Sequence, residues 1–246
     1  MTASAPGFST ASTRSKALAV IGLTAALLYL VAGRMDDAYW LRMVTKPIPV
    51  LILAFWVSGL RIKGRYQLFI MIGLLLSALG DILLEYSEAT FLLGLAAFLL
   101  GHIVYIAAFL QDTRKLHPFY GAAAYAYGFF AAVFLMTTGD LGGMIGPVYL
   151  YILVITTMAW RAAARLDVPT LPRFSVWAGL AGALLFVVSD SILAFRLFGT
   201  PIQLGGLAVM ATYWLGQLGI ALSAWRGGGI SQRMRTADGG GEYHSG

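Results

Sequence analysis

Cysteine is absent from the chain, which removes disulfides, thiolate metal sites and a cysteine nucleophile while leaving the compartment open. Charge is scarce as well: Asp, Glu, Lys and Arg make up 11% of the 246 residues, against 59% hydrophobic ones. Soluble domains carry about 25% charged residues, so the chain reads as a polytopic membrane protein with no separate soluble domain. Histidine occurs only at 102, 117 and 244, too widely spread for a zinc site, and no other metal cluster is visible. A Gly-x-Ser-x-Gly nucleophile elbow is missing too. The long apolar runs lack period-two alternation. Since backbone in lipid must satisfy its own hydrogen bonds, they specify a helix bundle and not a barrel.

What is present can be taken in order. Residues 1–14 are rich in Ser, Thr and Ala without an apolar period, and read as a disordered leader. Arg14 and Lys16 precede the apolar run 17–31; its exit at Val31-Ala32-Gly33 also fits a signal peptide, but its length favours a span. Further spans are expected at 44–60, 66–84, 90–110, 119–137, 144–164, 174–198 and 203–225, each near the ~20 residues that a bilayer needs. The reading is therefore all-α: a single eight-helix transmembrane domain over 15–226, followed by a flexible Gly-rich polar tail, 227–246.

Thirteen of the seventeen Lys and Arg fall in the leader, the tail and the loops 61–65, 114–115 and 161–173; the other four are Arg34, Arg42, Lys46 and Arg196. The positive-inside rule then makes both termini cytoplasmic. The net charge of +6 is thereby explained by topology, with no nucleic acid as partner. The expected location is a bacterial inner membrane, crossed many times.

Acids inside such spans stand out, because an Asp in hydrocarbon costs at least about 2.5 kcal/mol. Gly80-Asp81-Ile82-Leu83-Leu84 and Ser189-Asp190-Ser191-Ile192-Leu193 share a pattern in the third and seventh spans. The helix after the first carries His102 and Tyr105, and the helix after the second carries Tyr213, Trp214 and Gln217 at similar offsets. Two four-helix halves of one topology would explain this. At 1.5 Å per residue Asp81 lies roughly 22 Å along its helix and Asp190 roughly 24 Å, at one depth toward the outer leaflet. His102 is expected deeper than either, with Tyr105 on its face at i+3. It reads equally as a satisfied core imidazole, and Tyr105 as packing. Lys46, before Pro47 at the outer edge, is either a snorkelling anchor or a group that reaches the acids' cavity. Glu85 and Glu88 read as solvated loop charges, and Gly94, Gly101, Gly205, Gly206, Gly216 and Gly219 as close-packing positions.

Two acids away from water suit a division of labour in which a neutral carboxyl gives a proton and an anionic one activates water. The Lys46-Pro47 step, Gly80 to Leu84, Gly101-His102-Ile103-Val104-Tyr105, Ser189 to Ala194 and the Tyr213 to Gln217 segment, in that order and spacing, resemble the YhhN family of eight-helix membrane proteins. Its animal members are the TMEM86-like lysoplasmalogenases. The resemblance implies cofactor-free hydrolysis of the vinyl ether of a lysoplasmalogen, a lysophospholipid taken from the bilayer. The products are a fatty aldehyde and glycerophosphoethanolamine or glycerophosphocholine. Asp81 and Asp190 are then the catalytic pair, supported by Lys46, His102, Tyr105, Tyr213 and Gln217. A small lipid or solute transporter, using the acids as a proton relay or cation site, is the rival reading.

Overall fold

The computed structural model describes residues 8–35, 37–60, 64–199 and 205–226, with side chains from residue 15 onward. Its helices are α1 (Phe8–Ala32), α2 (Tyr39–Thr45), α3 (Ile48–Ser58), α4 (Arg65–Tyr86), α5 (Phe91–Leu110), α6 (Pro118–Thr138), α7 (Ile145–Ala163), α8 (Arg173–Phe198) and α9 (Gly205–Ser223). No strand occurs among the described residues. Among the described residues eight spans are long and apolar enough to cross a membrane, α2 and α3 together forming the second, Tyr39–Ser58. The fold is thus the expected eight-span helical one. Helix α1 begins at Phe8, inside the stretch read as leader; residues 1–7 and the tail 227–246 lie outside the described residues.

The second span departs from expectation in an informative way. Pro47 and Pro49 lack N–H groups and suggest a helix start, yet the chain is already helical from Tyr39. Lys46 (φ −57, ψ −49) and Pro47 (φ −78, ψ −17) keep helical angles at the break between α2 and α3. The missing donors leave the carbonyls of Met43 and Thr45 without helix partners, which is the usual cause of a kink. Arg42 therefore lies on a helix one turn before Lys46, on the same face.

The two helix pairs that carry the acid motifs, α4–α5 and α8–α9, share the most extensive interfaces. Without a hydrophobic driving force in lipid, helices associate through close van der Waals packing at small residues. Gly182 of α8 and Gly219 of α9 show this: a Cβ on Gly219 would stand 2.7 Å from the Cα of Gly182. On α4, Gly73 makes room for the ring of Tyr105. Gly205, expected to pack helices, instead seats the side chain of Arg196. Between the halves α5 packs on α7 and α3 on α9. An axis exchanging the first four spans with the last four interchanges those two contacts, which supports the two-half reading.

At the end carrying the basic loops, Asp112 is clamped. Its carboxylate receives Arg165 Nε at 2.8 Å and Arg226 Nη2 at 2.7 and 2.9 Å. Arg165, wholly buried, also donates to Ser175 Oγ at 3.0 Å, and Ser175 donates to the Ser223 carbonyl at 2.5 Å. The rings of Tyr66 and Phe109 lie against the Arg165 guanidinium.

Candidate functional site

At the opposite end a cavity of about 800 Å³ opens among α1, α2, α4, α8 and α9, and both acids line it. Asp81, 2% exposed, comes from the last two turns of α4 and accepts a hydrogen bond from Tyr213 on α9, at 2.7 Å. Asp190 comes from α8 and accepts one from Tyr151 on α7, at 2.6 Å. His102 Nε2 on α5 stands 3.9 Å from the same Asp190 oxygen. Each acid of one half is thus met by the last helix of the other half, Asp81 by Tyr213 and Asp190 by His102.

His102 was expected too deep to reach the acids. The helix ends explain the difference: Asp190 lies about 12 Å from the end of α8 at Phe198, and His102 about 16 Å from the start of α5 at Phe91. Side-chain length covers a gap of that size. His102 Nδ1 is 2.6 Å from the Phe98 carbonyl, so it must carry the ring's proton, a tautomer inferred from geometry. That leaves Nε2, which has no hydrogen-bond partner among the described residues, as a basic lone pair turned toward Asp190. The ring of Tyr213 packs edge-on against those of Phe98 and Phe186, which also meet each other edge-on.

Lys46 does reach this cavity, 8% exposed, but its nearest anion is Glu85 at 3.2 Å. Glu85 also binds Arg42 Nε at 2.8 Å and faces the hydroxyl of Tyr29 at 3.4 Å. It is therefore a wall residue of the site and not the solvated loop charge expected. One turn of α4 beyond Asp81, it uses the face the acid uses. Arg34 and Arg196 line the same cavity and have no ion-pair partner among the described residues. All four cations that the orientation count left unexplained, Arg34, Arg42, Lys46 and Arg196, line this one cavity.

Tyr105 and Gln217 are not part of its lining. Both are fully buried one layer below, where the Tyr105 hydroxyl donates to Gln217 Oε1 at 2.7 Å. Tyr213, four residues before Gln217 on α9, connects that layer to Asp81. The sequence reading missed Tyr151, Glu85, Arg42, Arg34, Arg196 and Tyr29. Among the described residues no group of three or more His, Asp or Glu side chains converges in a way that could hold a metal ion.

A second cavity, of about 570 Å³ and almost wholly apolar, lies on the other side of α8 among α5, α6 and α7; Leu84, Asp190 and Leu193 line both cavities. Asp190 therefore stands where a polar, cation-rich space meets a hydrocarbon one. Two carboxyls in such surroundings can transfer protons and stabilise a developing cation, since charge is poorly screened there.

The sequence profile of the YhhN family matches residues 41–224. Lysoplasmalogenase TMEM86B of Sus scrofa is 33% identical over 204 residues, covering 81% of this chain and 82% of that protein. The Mus musculus protein of that name is 32% identical over 219 residues, 87% of this chain and 88% of its own. A lysoplasmalogenase of Mycobacterium bovis is 33% identical over 166 residues, 61% of this chain and 56% of that protein. No solved structure matches the chain.

Proposed function

The chain belongs to the YhhN family, and on that premise we propose that it is an integral-membrane hydrolase that cleaves the vinyl ether of a lysoplasmalogen. The observation that carries the reading is the pair of acids, Asp81 and Asp190, lining one cavity, each held by a tyrosine hydroxyl and neither clamped by an arginine among the described residues. Relatives named lysoplasmalogenase support the activity and do not favour a transporter.

In the proposed reaction Asp190, at the junction with the apolar cavity, gives its proton to the β carbon of the vinyl ether. The oxygen-bearing carbon becomes an oxocarbenium ion, stabilised by the carboxylate of Asp81. Asp81 takes a proton from water as it adds to that carbon, giving a hemiacetal. The hemiacetal hydroxyl then returns a proton to Asp190, Asp81 protonates the departing glycerol oxygen, and aldehyde is released with both acids restored. Tyr151 and Tyr213 hold the carboxyls in position, and His102 Nε2 orients Asp190.

The lysophospholipid phosphate is met by Arg34 and Arg196, which have no ion-pair partner among the described residues. Lys46 and Arg42 are already engaged by Glu85 and shape the wall beside Asp81. In this reading Lys46, which reaches the acids' cavity, acts through Glu85. Both termini face the cytoplasm, and the head group lies in the outer leaflet.

Purified protein in detergent, without a gradient, should release fatty aldehyde from a 1-alkenyl lysophospholipid. The saturated 1-alkyl analogue should compete with a Ki near the substrate's Kd, because it shares the binding contacts and lacks only the reactive bond. Rapid release of fatty acid from a 1-acyl lysolipid would replace this reading with a general lysophospholipase. Saturable binding without turnover of any of the three would replace it with a transporter.

A further inference from the structure

Building on that reading, we propose that the apolar cavity among α5, α6, α7 and α8 receives the hydrocarbon chain of the one-chain lipid, which slides in from the bilayer between α5 and α6. The cavity borders the acid site and shares Leu84, Asp190 and Leu193 with it as wall residues. A lipid with its phosphate at Arg34 and Arg196 and its chain here has its first chain carbons at Asp190. Helix α6 packs on α7 and touches α8, but no extensive contact joins it to α5. That leaves a gap flanked by exposed aromatic side chains such as Phe130 and Phe134.

The polar groups of the cavity wall argue for hydrocarbon as the occupant. Tyr127 and Ser191 bond each other at 2.6 Å, Ser191 also donates to the Val187 carbonyl at 2.6 Å, and Thr156 donates to the Ile152 carbonyl at 2.7 Å. Tyr151 is spent on Asp190. Away from Asp190, the described polar groups of this wall are already engaged, so a polar ligand gains little there, whereas an alkyl chain desolvates nothing that needs water. The polar cavity differs in this respect, since two of its cations, Arg34 and Arg196, have no ion-pair partner among the described residues and suit an anion. The division also bears on selectivity: a second fatty chain on the glycerol would have to share the cation-lined space, so the site selects one-chain lipids.

The test uses the full chain in detergent with a non-hydrolysable 1-alkyl lysophospholipid bearing a diazirine near the chain's end. Irradiation and peptide mapping should place adducts on residues 130–135 of α6 and 191–198 of α8, and excess unlabelled 1-alkyl lysolipid should abolish them. Adducts confined to residues 27–35 and 206–210, around the polar cavity, would overturn the proposal. So would groove adducts that survive competition or form equally with a two-chain phospholipid probe, because ordinary bilayer lipid would then be the occupant. The probe is not turned over, so its mapping stands or falls separately from the hydrolase reading.

In the enzymatic arm, Ala131→Phe and Ala194→Phe fill the cavity. Displacing two methylenes' worth of chain contact corresponds to about a tenfold rise in KM for a long-chain substrate. A short-chain 1-alkenyl lysolipid should be nearly unaffected. Equal effects on both chain lengths would refute the assignment.

Discussion

Both ends of this bundle bury acids, and they do so in opposite ways. At the basic end Asp112 has two arginines on its two oxygens, one of them wholly buried and itself bonded to Ser175. At the other end Asp81 and Asp190 each have a tyrosine hydroxyl, with no Lys or Arg within salt-bridge distance among the described residues. Burial of charge therefore does not by itself mark function. Asp112 has spent its charge on holding α5, α7 and the end of α9 together, and nothing is left for a ligand. The cavity-end acids carry no such clamp among the described residues, and they line a space with Arg34 and Arg196, unpaired among those residues, on one side and hydrocarbon on the other.

Substitutions that remove the acids without changing their size should separate the two ends. Asp81→Asn and Asp190→Asn should each lower kcat by at least about 10²-fold, with thermal unfolding little changed because Asn still accepts from the tyrosine. The double variant should be scarcely worse than either single one, since members of a catalytic unit are non-additive. Asp112→Asn should do the reverse, costing about 3–5 kcal/mol by stranding Arg165 while the molecules still folded keep their kcat. A cavity-end variant that unfolds, or an Asp112 variant that stays folded but inactive, would break the comparison.

The cations give the next effect. Arg34→Gln with Arg196→Gln should raise KM about tenfold or more with kcat nearly kept, as expected for lost charge-assisted bonds of about 1.5–3 kcal/mol. Lys46→Met should instead act on stability and on kcat through Glu85, and a pure KM effect would give the phosphate role to Lys46. His102→Gln should slow kcat with little change in KM; an unchanged kcat would make His102 a core residue only. The pH profile of kcat should be a bell. Its acid limb falls as the carboxylate is protonated and its alkaline limb as the neutral acid loses its proton, both limbs belonging to the pair. Fusions after Arg65, Lys115 and Arg226 should report the cytoplasm, and a periplasmic signal at any of them would invert the assignment of the two ends.

Much of this was legible in the sequence, for physical reasons. The spans follow from length and hydropathy, and the acids from their cost in lipid, so Asp81 and Asp190 stand out without a structure. Glu85 was not legible, because its ion pairs depend on α2 starting at Tyr39, ahead of prolines that mimic a helix start. Tyr151 was hidden among the aromatics of α7, since only its contact with Asp190 sets it apart from packing. A usable signal did exist for the cations: Arg34, Arg42, Lys46 and Arg196 are the residues that orientation by charge fails to explain, and all four line the cavity. His102 was misjudged because depth was counted from approximate helix ends, where a few ångström decide contact.

Hydrolysis in D₂O tests the central claim most directly, that a positioned carboxyl at the cavity end protonates carbon. Purified protein should release an aldehyde, trapped at once, that carries one deuterium on the carbon next to the carbonyl, delivered to a single face. Asp190→Asn should release almost none. Aldehyde without that deuterium, or undiminished release by the Asn variant, would contradict the account.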